Sequence, residues 1–209
     1  MVVFNDNIAA QKGVLDVKVE TFDGKELFSE QIPVEVDGCS TVVAKQYDAR
    51  KFGGKKVLKN AVFVATLTCQ EPQNVAECQP KTIRKTILFD KEKNLKLPKA
   101  NVTVDVHREE NKAIYTIKSD AFVSKFALFT QNNSPLSDNY FDVLPNETVR
   151  ISQTMDEGCT LEGLKNNFEF KHVATIEPKS SKFADSFFRF KTLLSTWNFL
   201  NYIWYKFFM

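Results

Sequence analysis

The sequence predicts an all-β chain of two antiparallel β-sandwiches in tandem, followed by an aromatic-rich C-terminal tail. Two observations lead to this prediction. Short segments in which apolar and polar side chains alternate recur along the chain, with turn residues between them. No long stretch repeats its apolar residues at the helical period. A hydrophobic fraction of 43% and a charged fraction of 26% are ordinary for a chain that buries a core, which excludes the disordered and collagen-like classes.

The first sandwich is predicted to occupy residues 1–92. Its clearest signal is Val14–Glu20, which alternates from Leu15 as a half-buried strand does. Asp23-Gly24 follows and favours a hairpin turn, because glycine accepts a positive φ at no steric cost. The partner strand is Leu27–Val36, in which Pro33 indicates an edge position or a bulge. Three further segments have the strand pattern: Thr41–Tyr47, Ala61–Cys69 and Thr82–Phe89.

Residues 93–100 are predicted to be a linker, because the run Asp90–Lys99 is charged and Pro98 forces extended backbone. We expect this run to be a solvated connector rather than a binding patch. Alternation then restarts, and residues 101–178 are predicted to form the second sandwich. Its predicted strands are Asn101–His107, Ala113–Lys118, Ala121–Phe129, Asn139–Val143, Thr148–Ser152 and Phe168–Ile176. This density of short strands is typical of an immunoglobulin-like sandwich, although the Cys-Trp-Cys pattern of antibody domains is absent from the sequence.

The C-terminal tail, residues 179–209, differs in composition from the rest of the chain. Eleven aromatic residues lie between Phe183 and Met209. The uncharged run Thr192–Tyr205 has 14 residues, fewer than the roughly 20 that a membrane-spanning helix needs. Two interpretations stay open. The tail is either an amphipathic helix that contacts a membrane surface, flanked by basic residues, or a segment foreign to the fold.

Charge and cysteine usage exclude several functional classes. The net charge is +2, and the basic excess lies after residue 178. The remaining body is slightly acidic, whereas a nucleic-acid binder needs clustered cationic charge. The only histidines, His107 and His172, are predicted on separate strands, and the cysteines have no CxxC spacing, so no metal and no cofactor is predicted. Cys69 and Cys78 flank a polar stretch where a disulfide is geometrically feasible, but two free thiols fit equally well.

Several stretches resemble the C-terminal region of β-mannosidases, which belong to the β-galactosidase/β-glucuronidase-like clan of glycoside hydrolases. Ser137–Thr148 resembles the "SDN-aromatic-F-D-L-L-P-G-E" segment of their last domain. Leu95–Val104 is similar to their linker into that domain. Phe22–Lys25 and Val62–Ala65 resemble parts of the preceding sandwich, and Asn167–Val173 resembles the closing strand of animal lysosomal forms.

The resemblance defines a family motif within the second sandwich. Its members in this chain are Ser137, Asp138, Asn139, Tyr140, Phe141, Asp142, Leu144 and Pro145. We expect a structural role for them, in which the Asp and Asn side chains cap turns and the aromatic side chains enter the core. Asn146 stands where many relatives have glycine, and asparagine also tolerates the left-handed backbone of a turn.

The resemblance implies a parent enzyme that removes terminal β-D-mannose, with two catalytic glutamates on a (β/α)8 barrel. Such a barrel takes about 250 residues of alternating strand and helix, whereas this chain has 209 residues without that pattern. No catalytic residue is therefore predicted, and the chain alone is expected to be inactive. The implied partner is the parent's barrel, which both sandwiches would stabilise. Alternatives are a standalone interaction module tethered by its tail, and a sugar-binding module that uses Tyr47, Tyr115 or Tyr140.

Three N-glycosylation sequons begin at Asn101, Asn132 and Asn146. Each lies near a predicted strand end or loop, where a glycan is sterically feasible. The N-terminus lacks the basic start and apolar run of a signal peptide. Because animal members of the family are lysosomal, the resemblance implies a lysosomal or secretory location, with entry directed by the N-terminus of a full-length parent.

Overall fold

A computed structural model describes residues 1–69 and 82–176 of the chain. Within this part, Met1–Thr175 form one compact unit that contains two β-sandwiches in series. The predicted tail lies outside the described residues, as does Cys78, so the predicted disulfide and both interpretations of the tail stay predictions. Among the described residues, no helix has the length and apolar composition that crossing a membrane requires.

The described residues of the first sandwich, 1–69 and 82–92, form six strands in two antiparallel sheets. The strands are β1 (Val2–Asn5), β2 (Gln11–Thr21), β3 (Glu26–Val36), β4 (Ser40–Val43), β5 (Ala61–Cys69) and β6 (Thr82–Leu88). The larger sheet has the order β3–β2–β5–β6, and β1 pairs with β4 in the smaller one. A 3-10 turn (Ala49–Phe52) and the short helix α1 (Lys55–Leu58) connect β4 to β5. Pro33 lies on β3 at the edge of the larger sheet, in agreement with the predicted edge position.

The core of the first sandwich lies on one face of the larger sheet, because side chains alternate between the two faces of a strand. Leu15, Val17 and Val19 of β2 and Phe63 of β5 are buried on this face. Aromatic rings extend the core, and the Tyr47 hydroxyl donates a 2.7 Å hydrogen bond to the Glu30 carboxylate. Burial raises the pKa of Tyr47, and the hydrogen bond and negative charge of that carboxylate raise it further.

The second sandwich contains two three-stranded antiparallel sheets. The strands are β7 (Val102–Glu109), β8 (Lys112–Ser119), β9 (Val123–Thr130), β10 (Phe141–Val143), β11 (Thr148–Thr154) and β12 (Phe168–Lys171), with helix α2 (Leu161–Asn166) before β12. The sheets have the orders β11–β8–β7 and β10–β9–β12. Their inner faces bury Tyr115, Ile117, Phe126, Leu128 and Val143. The Tyr115 hydroxyl donates to Gln153 at 3.1 Å, and burial is the main cause that raises the pKa of Tyr115 to about 12.

The predicted fold class is confirmed, with differences at the ends of some strands. The predicted strand Thr41–Tyr47 ends at Val43, because the chain bends so that Tyr47 packs against other aromatic rings. The predicted strand Phe168–Ile176 ends at Lys171, and a 3-10 turn follows at Val173–Thr175. His172 therefore lies beyond the strand on which it was predicted. Thr175 stabilises the turn, because its N–H and its hydroxyl donate to the His172 carbonyl at 2.9 Å and 2.8 Å.

Candidate functional site at the domain junction

The two sandwiches meet through one apolar group, here called the junction cluster. Its buried members are Phe22, Val62, Val64 and Phe122, and four leucines pack around them: Leu88, Leu95, Leu97 and Leu144. The rings of Phe22 and Phe122 are each 1% exposed and stack with centroids 5.1 Å apart. Domains joined by a linker are expected to move relative to each other unless their interface is apolar. The junction cluster supplies such an interface.

The cluster follows from the alternation of β5. Val62 and Val64 point to the face opposite the first core, so they would meet solvent if the second sandwich did not cover them. A strand that is apolar on both faces is buried on both, and the uninterrupted run Ala61–Ala65 carries that signal. Burial of apolar side chains contributes about 1.5–3 kcal/mol each, so this group of side chains stabilises the junction substantially.

Backbone hydrogen bonds reinforce the apolar contact. The Phe122 N–H, just before β9, donates a 2.8 Å hydrogen bond to the carbonyl of Phe22, just after β2. The Lys96 N–H in the predicted linker donates to the Lys59 carbonyl at 2.9 Å. Each bond satisfies a backbone group that the edge of the junction would otherwise remove from water.

Beside the junction cluster, the β6 side chains of Arg84 and Thr86 bind Asp142 and Glu147 of the second sandwich. The Arg84 guanidinium forms an ion pair with Glu147 and donates a 3.1 Å hydrogen bond to the Asp142 carbonyl. The Thr86 hydroxyl donates to the Asp142 carboxylate. The Arg84 and Glu147 side chains are only 30% and 28% exposed, so solvent screens this pair less than it screens a pair in open water.

The Asp142 and Glu147 carboxylates also make contacts within the second sandwich. The second carboxylate oxygen of Asp142 accepts a 2.8 Å hydrogen bond from the N–H of Lys125, a residue with φ of 52°. The second oxygen of Glu147 accepts the Leu144 N–H at 3.0 Å. Each acid therefore joins the two sandwiches while it fixes local structure in the second one: Asp142 binds β10 to β9 where their register shifts, and Glu147 closes its own turn.

The segment predicted as a linker takes part in the junction. Leu95 and Leu97 pack into the junction cluster, while the lysines around them are exposed. Glu92 forms an ion pair of 3.2 Å with Lys125. The pKa of Glu92 is lowered, first by a hydrogen bond from its own backbone N–H and then by the one from Lys125. The expectation of a solvated connector was wrong for the leucines, because their side chains find apolar partners on both sandwiches.

Other residues of the family motif make contacts within the second sandwich. The Asn139 side chain binds the backbone of Leu128 as a neighbouring strand would. Its amide nitrogen donates to the Leu128 carbonyl and its amide oxygen accepts the Leu128 N–H, both at 2.9 Å. Asp138 accepts the Asn139 N–H at 2.7 Å, which is the expected local turn contact. Phe141 packs against the core as expected, with its ring 5.5 Å from that of Phe126.

Tyr140 contradicts the expectation that the aromatic residues of the motif enter the core. Its side chain is 65% exposed, and its φ of 61° lies in the left-handed region that a bulky residue seldom adopts. The amide oxygen of Asn139 accepts the Tyr140 N–H at 3.1 Å, which holds this conformation. The other tyrosines proposed as sugar contacts are less accessible, since Tyr115 is buried and Tyr47 is half-buried against Glu30.

The remaining motif residues lie at its two ends: Ser137 binds β11, while Leu144 and Pro145 contact the first sandwich. The Ser137 hydroxyl accepts the Ser152 N–H at 2.9 Å and ties the start of the motif to β11. Pro145 lies against the hairpin turn at Gly24, where a Cβ atom would come 3.1 Å from the proline ring. Gly24 has a φ of 88°, and Asn146 has a φ of 60° that asparagine tolerates.

The three sequon asparagines have different environments. Asn101 is exposed, and its amide donates a 2.6 Å hydrogen bond to Asp120. Asn146 is exposed at the apex of its turn. Asn132 is only 7% exposed, and its amide nitrogen donates to the Thr154 carbonyl at 2.6 Å. The folded environment of Asn132 therefore leaves less room for a glycan than those of Asn101 and Asn146, and all three sites stay predictions.

The described residues contain no cluster of metal-ligating side chains. No group of three or more His, Cys, Asp or Glu side chains in residues 1–69 and 82–176 is arranged to hold a metal ion. His107 lies on an exposed sheet face, where its Nε2 is 3.0 Å from Glu109. His172 is buried, and desolvation lowers its pKa.

Sequence reasoning missed the polar residues of the junction. Arg84, Thr86 and Glu92 carry no motif, and their partners lie more than thirty positions away along the chain. For the apolar part a signal existed, namely the run Ala61–Ala65 that is apolar on both faces.

Comparisons with known proteins agree with this architecture. Two mannosidase domain models match in tandem: the Mannosidase Ig/CBM-like domain over residues 1–80 and the mannosidase Ig-fold domain over residues 97–176. A search of curated protein sequences found no match. The solved β-D-mannosidase of Dictyoglomus thermophilum matches with a TM-score of 0.64 and 20% sequence identity, covering 82% of this chain and 20% of that one. An exo-chitosanase of Amycolatopsis orientalis matches with a TM-score of 0.49 and 12% identity, covering 82% and 24%.

The two domain models identify the region, and the chain spans about a fifth of the length of the β-D-mannosidase. The structural likeness shows the shared fold, while the two domain models, in the order in which they match, show the family. Residues 1–80 and 97–176 belong to the two mannosidase Ig-type domain families, and the chain is a β-mannosidase-like glycoside hydrolase region that holds these non-catalytic accessory domains, with no catalytic barrel among its described residues.

Proposed function

We propose that the two sandwiches act as one brace, which packs on the catalytic barrel of a β-mannosidase parent and stabilises it. The observation that carries the proposal is the junction between the sandwiches. The stacked pair Phe22–Phe122, the Arg84–Glu147 ion pair and the backbone bonds join the sandwiches without a free hinge. A brace has to keep its shape when a neighbouring domain packs on it, and an apolar interface between the two sandwiches restricts their relative motion.

We further propose that the parent removes terminal β-D-mannose from oligosaccharides. The resemblance of Ser137–Thr148 to β-mannosidases and the β-D-mannosidase among the structural neighbours support this substrate class. Retaining glycoside hydrolysis needs two carboxyl groups about 5–5.5 Å apart across the sugar. The acids of the junction serve other roles, because Asp142 and Glu147 are each committed to hydrogen bonds with both sandwiches.

The first experiment tests parentage and activity. We expect an in-frame (β/α)8 barrel in the coding sequence upstream of Met1, and we expect the purified chain to leave an aryl β-D-mannoside intact. Turnover by the chain alone that a single substitution in residues 1–176 abolishes would overturn the accessory role. The absence of a barrel from the parent gene would overturn the proposed partner.

The second experiment tests the bracing itself. The parent's barrel is expressed separately, and its thermal inactivation is measured with and without this chain in equimolar amount. We expect the barrel to retain activity to a higher temperature with the wild-type chain than with the Phe122→Ala variant. The exposed residue Phe129 offers a matched control, Phe129→Ala, which should protect as well as the wild type. Equal inactivation with and without the chain would show that the sandwiches do not stabilise the barrel.

Sugar binding is a second candidate function, favoured by Tyr140 alone. An exposed aromatic ring can stack on the face of a sugar, and backbone strain of the kind seen at Tyr140 is often found at functional sites. Binding of manno-oligosaccharides, measured by titration calorimetry and lost in Tyr140→Ala, would support this function. Unchanged heats in that variant, or no heat in the wild type, would exclude Tyr140 as a sugar contact.

A further inference from the structure

The structure distinguishes the three sequons, and we propose that Asn146 carries an N-linked glycan whose first sugar lies in the adjoining surface cavity. The proposal concerns modification of the chain and does not rest on the bracing function. It requires passage through the secretory route.

The local conformation presents Asn146 to solvent. Its backbone is anchored because its N–H donates a 2.9 Å hydrogen bond to the Ser119 carbonyl, and its positive φ places it at the apex of the turn. Within the described residues, no hydrogen bond engages the Asn146 side chain, so its amide is available for modification without loss of a contact.

The other two acceptors are committed to the fold. Both the backbone N–H and the side-chain amide of Asn101 donate to the Asp120 carboxylate, at 2.8 Å and 2.6 Å. The amide of Asn132 is buried: its nitrogen donates to Thr154, and its oxygen accepts the Asp156 N–H at 3.2 Å. Because Asn132 is only 7% exposed, a sugar on its nitrogen would displace the close-packed groups around it.

A cavity beside Asn146 can receive the first sugar. It has a volume of about 290 Å³ and is lined by Asn101, Thr103, Lys118, Ser119, Asp120, Asn146 and Glu147. The cavity is shallow and largely open to solvent, so a sugar attached at its rim has access to it. The Lys118 ammonium and the remaining acceptor positions of the Asp120 carboxylate can bind the hydroxyl and acetamido groups of an N-acetylhexosamine.

The modification transfers an oligosaccharide from a lipid-pyrophosphate donor. The amide nitrogen of Asn146 attacks the anomeric carbon of the donor, and a C–N bond forms. The bond between that carbon and the pyrophosphate oxygen breaks, and the lipid pyrophosphate leaves with the bonding electrons. The amide nitrogen loses one proton and keeps the other.

The chain offers a matched pair of variants for the test. Thr103 and Thr148, the third residues of the Asn101 and Asn146 sequons, are both exposed strand residues that pair with opposite sides of Lys118. The full chain is expressed behind a cleavable secretion signal in eukaryotic cells. Glycosylation is read from the shift in electrophoretic mobility on peptide:N-glycosidase treatment and from mass spectrometry, in cells and medium together.

We expect one glycan on the wild type, retained in Thr103→Ala and lost in Thr148→Ala and in Asn146→Gln. Thr148→Ser preserves the sequon and should retain the glycan, which excludes an effect of misfolding. The protein from its native cells should show the same glycosidase-sensitive shift. A wild type without a glycan at Asn146, a glycan on Asn132 of the folded protein, or a shift lost in Thr103→Ala would overturn the proposal.

Discussion

The junction between the sandwiches makes Phe122→Ala the most informative substitution. Phe122 is buried and its ring stacks on Phe22, so truncation removes the centre of the junction cluster. Phe→Ala in a core costs about 3–5 kcal/mol, of which the aromatic pair contributes about 0.5–1.5 kcal/mol. In a protein of this size each kcal/mol lowers Tm by about 2–4 °C. The variant should therefore melt roughly 6–20 °C below the wild type.

The assay is thermal unfolding of the full chain, followed by far-ultraviolet circular dichroism and by calorimetry. Because the substitution weakens the contact between the domains, the sandwiches should unfold in separate steps, and the calorimetric enthalpy should exceed the van't Hoff enthalpy. Phe129→Ala is the matched control, since Phe129 lies on β9 close to Phe122 in sequence but is 43% exposed. Its cost should stay below about 1 kcal/mol. Equal melting temperatures for the two variants would refute the assignment of the junction cluster.

Three further predictions test other contacts. Arg84→Ala should cost about 1 kcal/mol in urea unfolding because it breaks the ion pair with Glu147, and the cost should shrink in high salt, whereas Lys85→Ala should cost little at any salt concentration. Asn139→Ala should cost about 1–3 kcal/mol, because the Leu128 N–H and carbonyl lose their partner; a loss no greater than that of Asp138→Ala would contradict this role. Burial lowers the pKa of His172 below its ordinary value of 6.5, so the unfolded chain gains a proton first, and stability present above about pH 6.5 is lost as pH falls. The free energy of unfolding is measured by denaturation from about pH 7 to 5.5, and His172→Gln should remove its fall over this range. If the free energy of unfolding changes with pH equally in His172→Gln and in the exposed control His107→Gln, His172 is not the source of the fall.

Strand positions could be predicted from the sequence because apolar and polar side chains alternate along a strand that is buried on one face. The alternation of Val14–Glu20 and the turn at Asp23-Gly24 gave β2, the hairpin and the start of β3 to within a few residues. The alternation predicted strand ends wrongly where a tertiary or local contact took the place of hydrogen bonds between strands. The aromatic packing of Tyr47 shortened β4, and the hydrogen bonds of Thr175 ended β12.

The candidate site was less accessible because it depends on pairs that are distant in sequence. The motif residues Asn139 and Asp142 were singled out by resemblance, but their partners on β9 and β6 could not be identified without the fold. The burial of Asn132 was hidden for the same reason. A sequon describes three adjacent residues, whereas burial depends on the strand that passes over them.

The packing of Gly24 against Pro145 has a consequence for how the chain responds to proteases. These two residues belong to different halves of the molecule, and a side chain at position 24 would strain both the turn and the contact. Cleavage between residues 93 and 100 would sever the covalent bridge while such contacts persisted. The two pieces should then co-elute as a nicked but intact particle and separate only in denaturant.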